Sequence, residues 1–204
     1  MQRTALIVAS ALVAGGLGAG AWWALGTGDD LATCREGGAV TGASIGGPFT
    51  LTRSDGARVT SAEVFDKLSL LYFGYTHCPD FCPTDAANMA AVTDILAERG
   101  VSVRPVFVTV DPARDTEKVV GEFVANFHPQ MVGLTGSDAD IAAAAKAWRV
   151  YYAKAGDDPE YYLMDHSTFT YLVDPQRGFL DFFRHGEDPE AVADRVACYA
   201  DALR

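Results

Sequence analysis

The sequence predicts an α/β domain, a mixed sheet flanked by helices, behind one N-terminal transmembrane helix. Three observations carry this prediction. Strand-patterned and helix-patterned segments alternate through residues 68–148, and such alternation builds a parallel sheet core. A strand, the turn Pro175-Gln176-Arg177-Gly178 and a returning strand follow, supplying antiparallel partners before a last helix. An uncharged, mostly apolar run fills residues 4–28, ahead of Asp29-Asp30, and about 20 helical residues cross a bilayer's hydrocarbon core.

The 204 residues suit one domain with a short extra segment. Residues 1–28 read as a signal anchor, residues 29–44 as a Gly-, Ala-, Thr- and Ser-rich linker, and residues 45–204 as the globular domain. Trp22 and Trp23 sit where an interfacial aromatic belt would lie, and Arg3 favours a cytoplasmic start with the domain exported. A cleaved signal peptide is the competing reading, because Ala19-Gly20-Ala21 resembles a cleavage site. The net charge of -11 argues against nucleic acid as a partner, since phosphates repel an acidic surface.

Within the domain, Phe49-Thr50-Leu51-Thr52 and Ala57-Arg58-Val59-Thr60 flank Ser54-Asp55-Gly56, a hairpin pattern. Residues 68–75 form a continuous apolar run, as in a strand buried on both faces. Residues 83–99 read as a helix, with Pro83 at its first position and Met89, Val92, Ile95 and Leu96 at helical spacing. Residues 106–110 are a second buried strand, with Pro105 limiting its start. Helices follow at 116–127 and 138–148, with a short strand at 131–134 between them. Residues 150–154, 169–173 and 179–183 read as strands, and residues 189–203 as the closing helix.

The chemistry concentrates in Gly74-Tyr75-Thr76-His77-Cys78-Pro79-Asp80-Phe81-Cys82-Pro83. A cysteine pair just after a buried strand and just before a helix is the thioredoxin-like arrangement. The cysteines are four apart, so one turn brings both sulfurs to a point, and the helix start favours thiolate over thiol. Two soft thiolates with one imidazole suit Cu(I), and such a site also serves Cu(II), whereas structural zinc usually takes four protein ligands. His166, in Met164-Asp165-His166-Ser167-Thr168-Phe169, is the best third-ligand candidate, with Asp165 placed to orient it. The residues alone leave His166 evenly divided between ligand and exposed or capping histidine.

The stretch F-G-Y-T-H-C-P-D-F-C-P, residues 73–83, resembles the signature of the Sco/SenC family, copper proteins of cytochrome c oxidase assembly. V-T-V-D-P-A-R-D-T at 108–116 and D-H-S-T-F at 165–169 resemble that family's other blocks, and S-I-G-G-P-F-T-L at 44–51 resembles the start of its domain. The resemblance implies a thioredoxin-like fold and copper on Cys78, Cys82 and His166. It implies a metallochaperone that delivers copper to the dinuclear site of oxidase subunit II or a related copper protein, or that reduces the cysteines of that site. It further implies a single N-terminal helix in the inner membrane, with the domain in the periplasm or an equivalent oxidising compartment. The copper donor is not named by it.

Other residues carry weaker readings. His77 is expected to support the loop, since neighbours on an extended segment point apart. His128 and His185 lie in turn-like contexts and read as surface residues. Asp111 and Arg114 read as an ion pair or as a pair tuning the metal. Cys34 and Cys198 lie outside the family blocks and read equally as a disulfide or as two thiols. If the cysteines exchange electrons instead of holding metal, the protein is a thiol–disulfide oxidoreductase, although such proteins of this fold use C-x-x-C spacing. A peroxide-reducing enzyme would need an arginine beside the cysteine, for which Arg114 is the candidate. A copper-dependent redox sensor is the remaining reading.

Overall fold

The computed structural model describes residues 31–35, 45–158 and 161–204. Residues 31–35 belong to a separate short unit with the 3-10 turn Ala32–Cys34. The anchor expected over residues 1–28 and most of the linker expected over 29–44 lie outside the described residues. Among those described, no helix is long and apolar enough to cross a membrane.

The domain runs β1 (Thr50–Arg53), β2 (Arg58–Thr60), α1 (Ser61–Val64), β3 (Ser69–Gly74), α2 (Phe81–Glu98), β4 (Arg104–Thr109), α3 (Glu117–Ala125) and β5 (Val132–Thr135). It continues through α4 (Asp138–Ala147), β6 (Tyr152–Ala155), β7 (Leu163–His166), β8 (Phe169–Asp174), β9 (Gly178–Arg184) and α5 (Pro189–Ala202). The main sheet has the order β2-β1-β5-β4-β3-β8-β9. Strands β3, β4 and β5 are parallel, while β1 runs against β5 and β8 against β3. The mixed sheet expected from the alternating pattern is therefore present.

Tyr72 and Phe107 are lateral neighbours in register, as are Phe107 and Gly133, so the three share one face. Helix α3 packs there through Val120 and Val124, so close to Gly133 that a Cβ would lie 2.6 Å from Val120 Cγ1. Helix α2 covers the same face and lies along α5. The opposite face carries Phe73 and Tyr171, against which Trp148 and then Phe65 stack edge-on. Apolar residues on both faces explain why all six residues of β3 are buried.

Three local features depart from the sequence expectation. Helix α2 begins at Phe81, so Cys82 lies inside its first turn. Pro83 does not stop this, because a first-turn N–H has no intrahelical partner to lose. Strand β4 begins at Arg104, so Pro105 lies within it; pairing with β5 starts only at Val106. Strand β6 pairs with β7 in a separate two-stranded sheet, and β7 carried too short a pattern to stand out.

Gly74 ends β3 under the cysteine loop, where an added Cβ would lie 2.7 Å from Tyr72 Cε1, 2.8 Å from Cys82 Sγ and 3.0 Å from Phe107 Cε2. Gly74→Ala should therefore destabilise the domain by about 1–3 kcal/mol, measured by denaturant unfolding of the metal-free protein. Unchanged stability would contradict the close approach of sulfur to backbone.

Candidate metal centre

Strand β3 delivers the chain into a tight loop. Cys78 N–H donates to the Tyr75 carbonyl at 3.3 Å, turning the chain back toward α2. Cys82 N–H, one of the unpaired donors of the first helical turn, donates to Cys78 Sγ at 3.3 Å. The Cys78 thiol is pushed down to about 3, chiefly by the hydrogen bond from the Cys82 side chain and further by His166, against its own desolvation. Burial pushes the Cys82 thiol up instead. That sulfur is fully buried and accepts from Tyr75 N–H at 3.5 Å. The reduced pair thus shares one proton, with Cys78 the thiolate and Cys82 the thiol.

His166 arrives on the β6–β7 hairpin, opposite Tyr152. Its Nδ1 donates to the Ser167 carbonyl at 2.9 Å, and its Nε2 faces Cys82 Sγ at 3.3 Å. The ring edges of Tyr72 and Tyr75 confine the imidazole, with centroids at 6.1 and 5.7 Å. The donor atoms of Cys78, Cys82 and His166 all lie within 4.8 Å of one another. The structure thus gathers all three predicted site residues. Asp165 does not orient His166. Alternation along β7 turns it to the other face, where it is exposed, and the Ser167 carbonyl holds the ring.

Two carboxylates fix the walls. Asp115 is fully buried and accepts from Thr76 N–H at 2.9 Å, Thr76 O–H at 2.6 Å and Thr109 O–H at 2.6 Å, which ties the cysteine loop to the end of β4. His77 stands 3.5 Å from the same carboxylate, in the supporting place expected of it. Asp111 pairs with Arg114 at 2.5 Å and accepts from Tyr162 O–H at 2.7 Å. Arg114 donates to the Tyr162 carbonyl at 3.0 Å and lies over the Tyr162 ring at 3.6 Å. Tyr162 directly precedes β7, so the Asp111–Arg114 ion pair fastens the hairpin that carries His166. Among the described residues, Arg114 makes no hydrogen bond to either cysteine.

His128 departs from the surface reading, whereas His185 is exposed as expected and still finds partners. His128 is buried, its Nδ1 accepting from Gln130 N–H at 3.1 Å and its Nε2 lying 3.3 Å from Asp94. His185 contacts the buried Asp85 at 2.8 Å and packs on Phe81 at 4.7 Å between ring centroids. In each case the turn folds back over α2. Cys78 and Cys82 are free thiols, whereas Cys34 and Cys198 are each engaged in a disulfide. Sequence reasoning passed over Tyr72, Asp85, Asp115 and Tyr162. Two of these left a trace: a tyrosine in an otherwise apolar buried strand needs a partner for its hydroxyl, and Asp85 lies three residues beyond Cys82 on the same helix face.

The SCO1/SenC family model matches residues 38–201. Protein SenC of Rhodobacter capsulatus is 52% identical over 176 residues, which is 86% of this chain and 80% of that protein. The structure of Arabidopsis thaliana ScoI with copper bound superposes with a TM-score of 0.72 at 45% identity, covering 78% of this chain and 98% of that one. Yeast Sco1 with copper bound gives a TM-score of 0.73 at 35% identity, covering 78% and 90% respectively. A match across most of the domain, with the cysteine loop, the Asp115 clamp and the His166 hairpin in one fold, places the chain in the SCO1/SenC family.

Proposed function

We propose that this protein holds copper on Cys78, Cys82 and His166 and delivers it to the dinuclear copper site of cytochrome c oxidase subunit II or a related copper protein. The observation that carries the reading is the donor set: two sulfurs and one imidazole nitrogen within 4.8 Å of one another. Thiolate and imidazole donors suit Cu(I), and structures of the Arabidopsis and yeast relatives contain copper. Three protein donors leave a position from which a receiving ligand can attack, so copper passes by ligand exchange. Cys78 is slightly exposed and Cys82 fully buried. Exchange therefore starts at Cys78 and the rim, while Cys82 releases last. On this reading residues 1–28 anchor the chain in the inner membrane, with the domain in the periplasm or an equivalent oxidising compartment. Their uncharged apolar length supports that placement.

A second reading draws on the same sulfurs. Cys78 is a thiolate with Cys82 beside it, the arrangement needed to attack a partner disulfide and then resolve the mixed disulfide. The two activities are compatible, because holding copper requires the reduced pair. In a deletion strain tested for oxidase assembly, delivery predicts that added copper rescues, and that His166→Ala fails alongside Cys78→Ser and Cys82→Ser. Full assembly with His166→Ala, and failure only of the cysteine variants, would assign the protein to thiol reduction.

Purified protein should bind one Cu(I). Cys78→Ser and Cys82→Ser should abolish this, and His166→Ala should weaken it beyond the roughly 10–100-fold typical of losing an outer-shell partner. Competition against a Cu(I) chelator checks it, and undiminished affinity in His166→Ala would contradict the ligand set. Cys78 should also alkylate at a rate nearly flat between about pH 5 and pH 8 in the reduced, metal-free protein, because its thiolate is already formed there. An ordinary thiol of pKa about 8.5 instead gains roughly tenfold per pH unit. Such a climb at Cys78 would contradict the shared proton.

A further inference from the structure

Behind Cys82 lies a group of buried polar side chains that the metal ligands do not use. Tyr72 is fully buried in β3, and its O–H points at Cys82 Sγ at 3.9 Å. The same hydroxyl faces the Asp85 carboxylate. Asp85 is also buried, and lies on α2 one turn beyond Cys82 on the same face. Its Oδ1 is held by His185 Nδ1 at 2.8 Å, while its Oδ2 is buried without a hydrogen-bond partner. Buried polar atoms are nearly always paired, so an orphan oxygen beside a hydroxyl that can turn needs an explanation. His185 extends the group outward: its side chain is 32% exposed, and it stacks on the half-exposed Phe81 next to Cys82.

A tyrosine hydroxyl has one proton to give. Here it stands between two acceptors, a sulfur and a carboxylate, and donation to one is withdrawn from the other. We propose that the Tyr72 hydroxyl is a shared donor divided between Cys82 Sγ and Asp85, and that the Asp85–His185 pair sets how much of it reaches the sulfur. Asp85 and His185 are then positioning residues for the site, acting through Tyr72. In the structure the hydroxyl lies toward the sulfur while Asp85 Oδ2 stays unpaired, and a donor on the sulfur stabilises whatever negative charge that sulfur carries. Burial raises the Asp85 carboxyl on balance, and the hydrogen bonds from His185 and Tyr72 oppose that rise.

This inference rests on Cys82 being a metal ligand, and its test separates the two claims. The full chain is prepared as wild type, Tyr72→Phe, Asp85→Asn and the double variant. Asp85→Asn keeps an oxygen for His185 but presents an amide N–H to Tyr72, which forces the hydroxyl proton onto the sulfur. Loaded with Cu(II), Tyr72→Phe should move the sulfur-to-copper charge-transfer band to longer wavelength, and Asp85→Asn to shorter wavelength. The double variant should match Tyr72→Phe alone. The midpoint potential of the Cys78–Cys82 couple in the metal-free protein gives an independent readout. It should fall in Tyr72→Phe, rise in Asp85→Asn and follow Tyr72→Phe in the double variant. Asp85→Ala, which also removes the competing acceptor, should shift both readouts as Asp85→Asn does and serves if that variant folds poorly. Shifts of the same sign in both single variants, additive shifts in the double variant, or no shift would each overturn the shared donor. Wild type that takes up no copper would overturn the metal reading alone, and the potentials would still decide the role of Tyr72.

Discussion

His166 Nε2 stands 3.3 Å from Cys82 Sγ, across a sequence separation of 84 residues, and the architecture around the site maintains that approach. Cys82 is fixed because it belongs to a helix whose first turn closes onto the end of a fully buried strand. His166 is fixed less directly, because its hairpin lies outside the main sheet. It is held by the Ser167 carbonyl behind its ring, by two tyrosine edges beside it, and by the Tyr162–Arg114–Asp111 cluster at the start of its strand. The second sequence block therefore serves both halves: Asp115 grips the cysteine loop and Asp111 with Arg114 grips the hairpin.

The environment makes the two sulfurs unequal. Cys78 receives a helix N-terminal N–H and keeps a trace of exposure, so it carries charge readily. Cys82 is enclosed by β3, Tyr72 and His166, where an isolated charge is costly. A soft cation offsets that cost by giving both sulfurs a shared charge partner. The same asymmetry suits a thiol pair that attacks through one sulfur and resolves through the other, so copper holding and electron exchange draw on one geometry.

Much of this was legible in the sequence, and the rest follows a physical pattern. The apolar run of β3 and the helical spacing of Met89, Val92 and Leu96 announced their elements because burial on a regular lattice leaves a period. The cysteine pair was legible because its place between strand and helix restricts what it can do. His166 was not legible from local pattern: β7 has only four residues, and its partner β6 comes from beyond a turn. The residues alone left it evenly divided, and the resemblance of its block to the family was the main support. Asp165 misled because adjacency in sequence was taken for adjacency in space, whereas strand alternation separates such neighbours. Asp85 and Asp115 stayed hidden for the complementary reason, since a buried carboxylate looks like a surface one until its donors are known.

The central claim is that two sulfurs and one imidazole hold the metal together. X-ray absorption at the copper edge of Cu(I)-loaded protein tests it most directly. The account predicts two sulfur scatterers and one histidine nitrogen, with loss of the nitrogen but not the sulfurs in His166→Ala. A first shell of sulfur alone in the wild type, or a spectrum unchanged by His166→Ala, would contradict it.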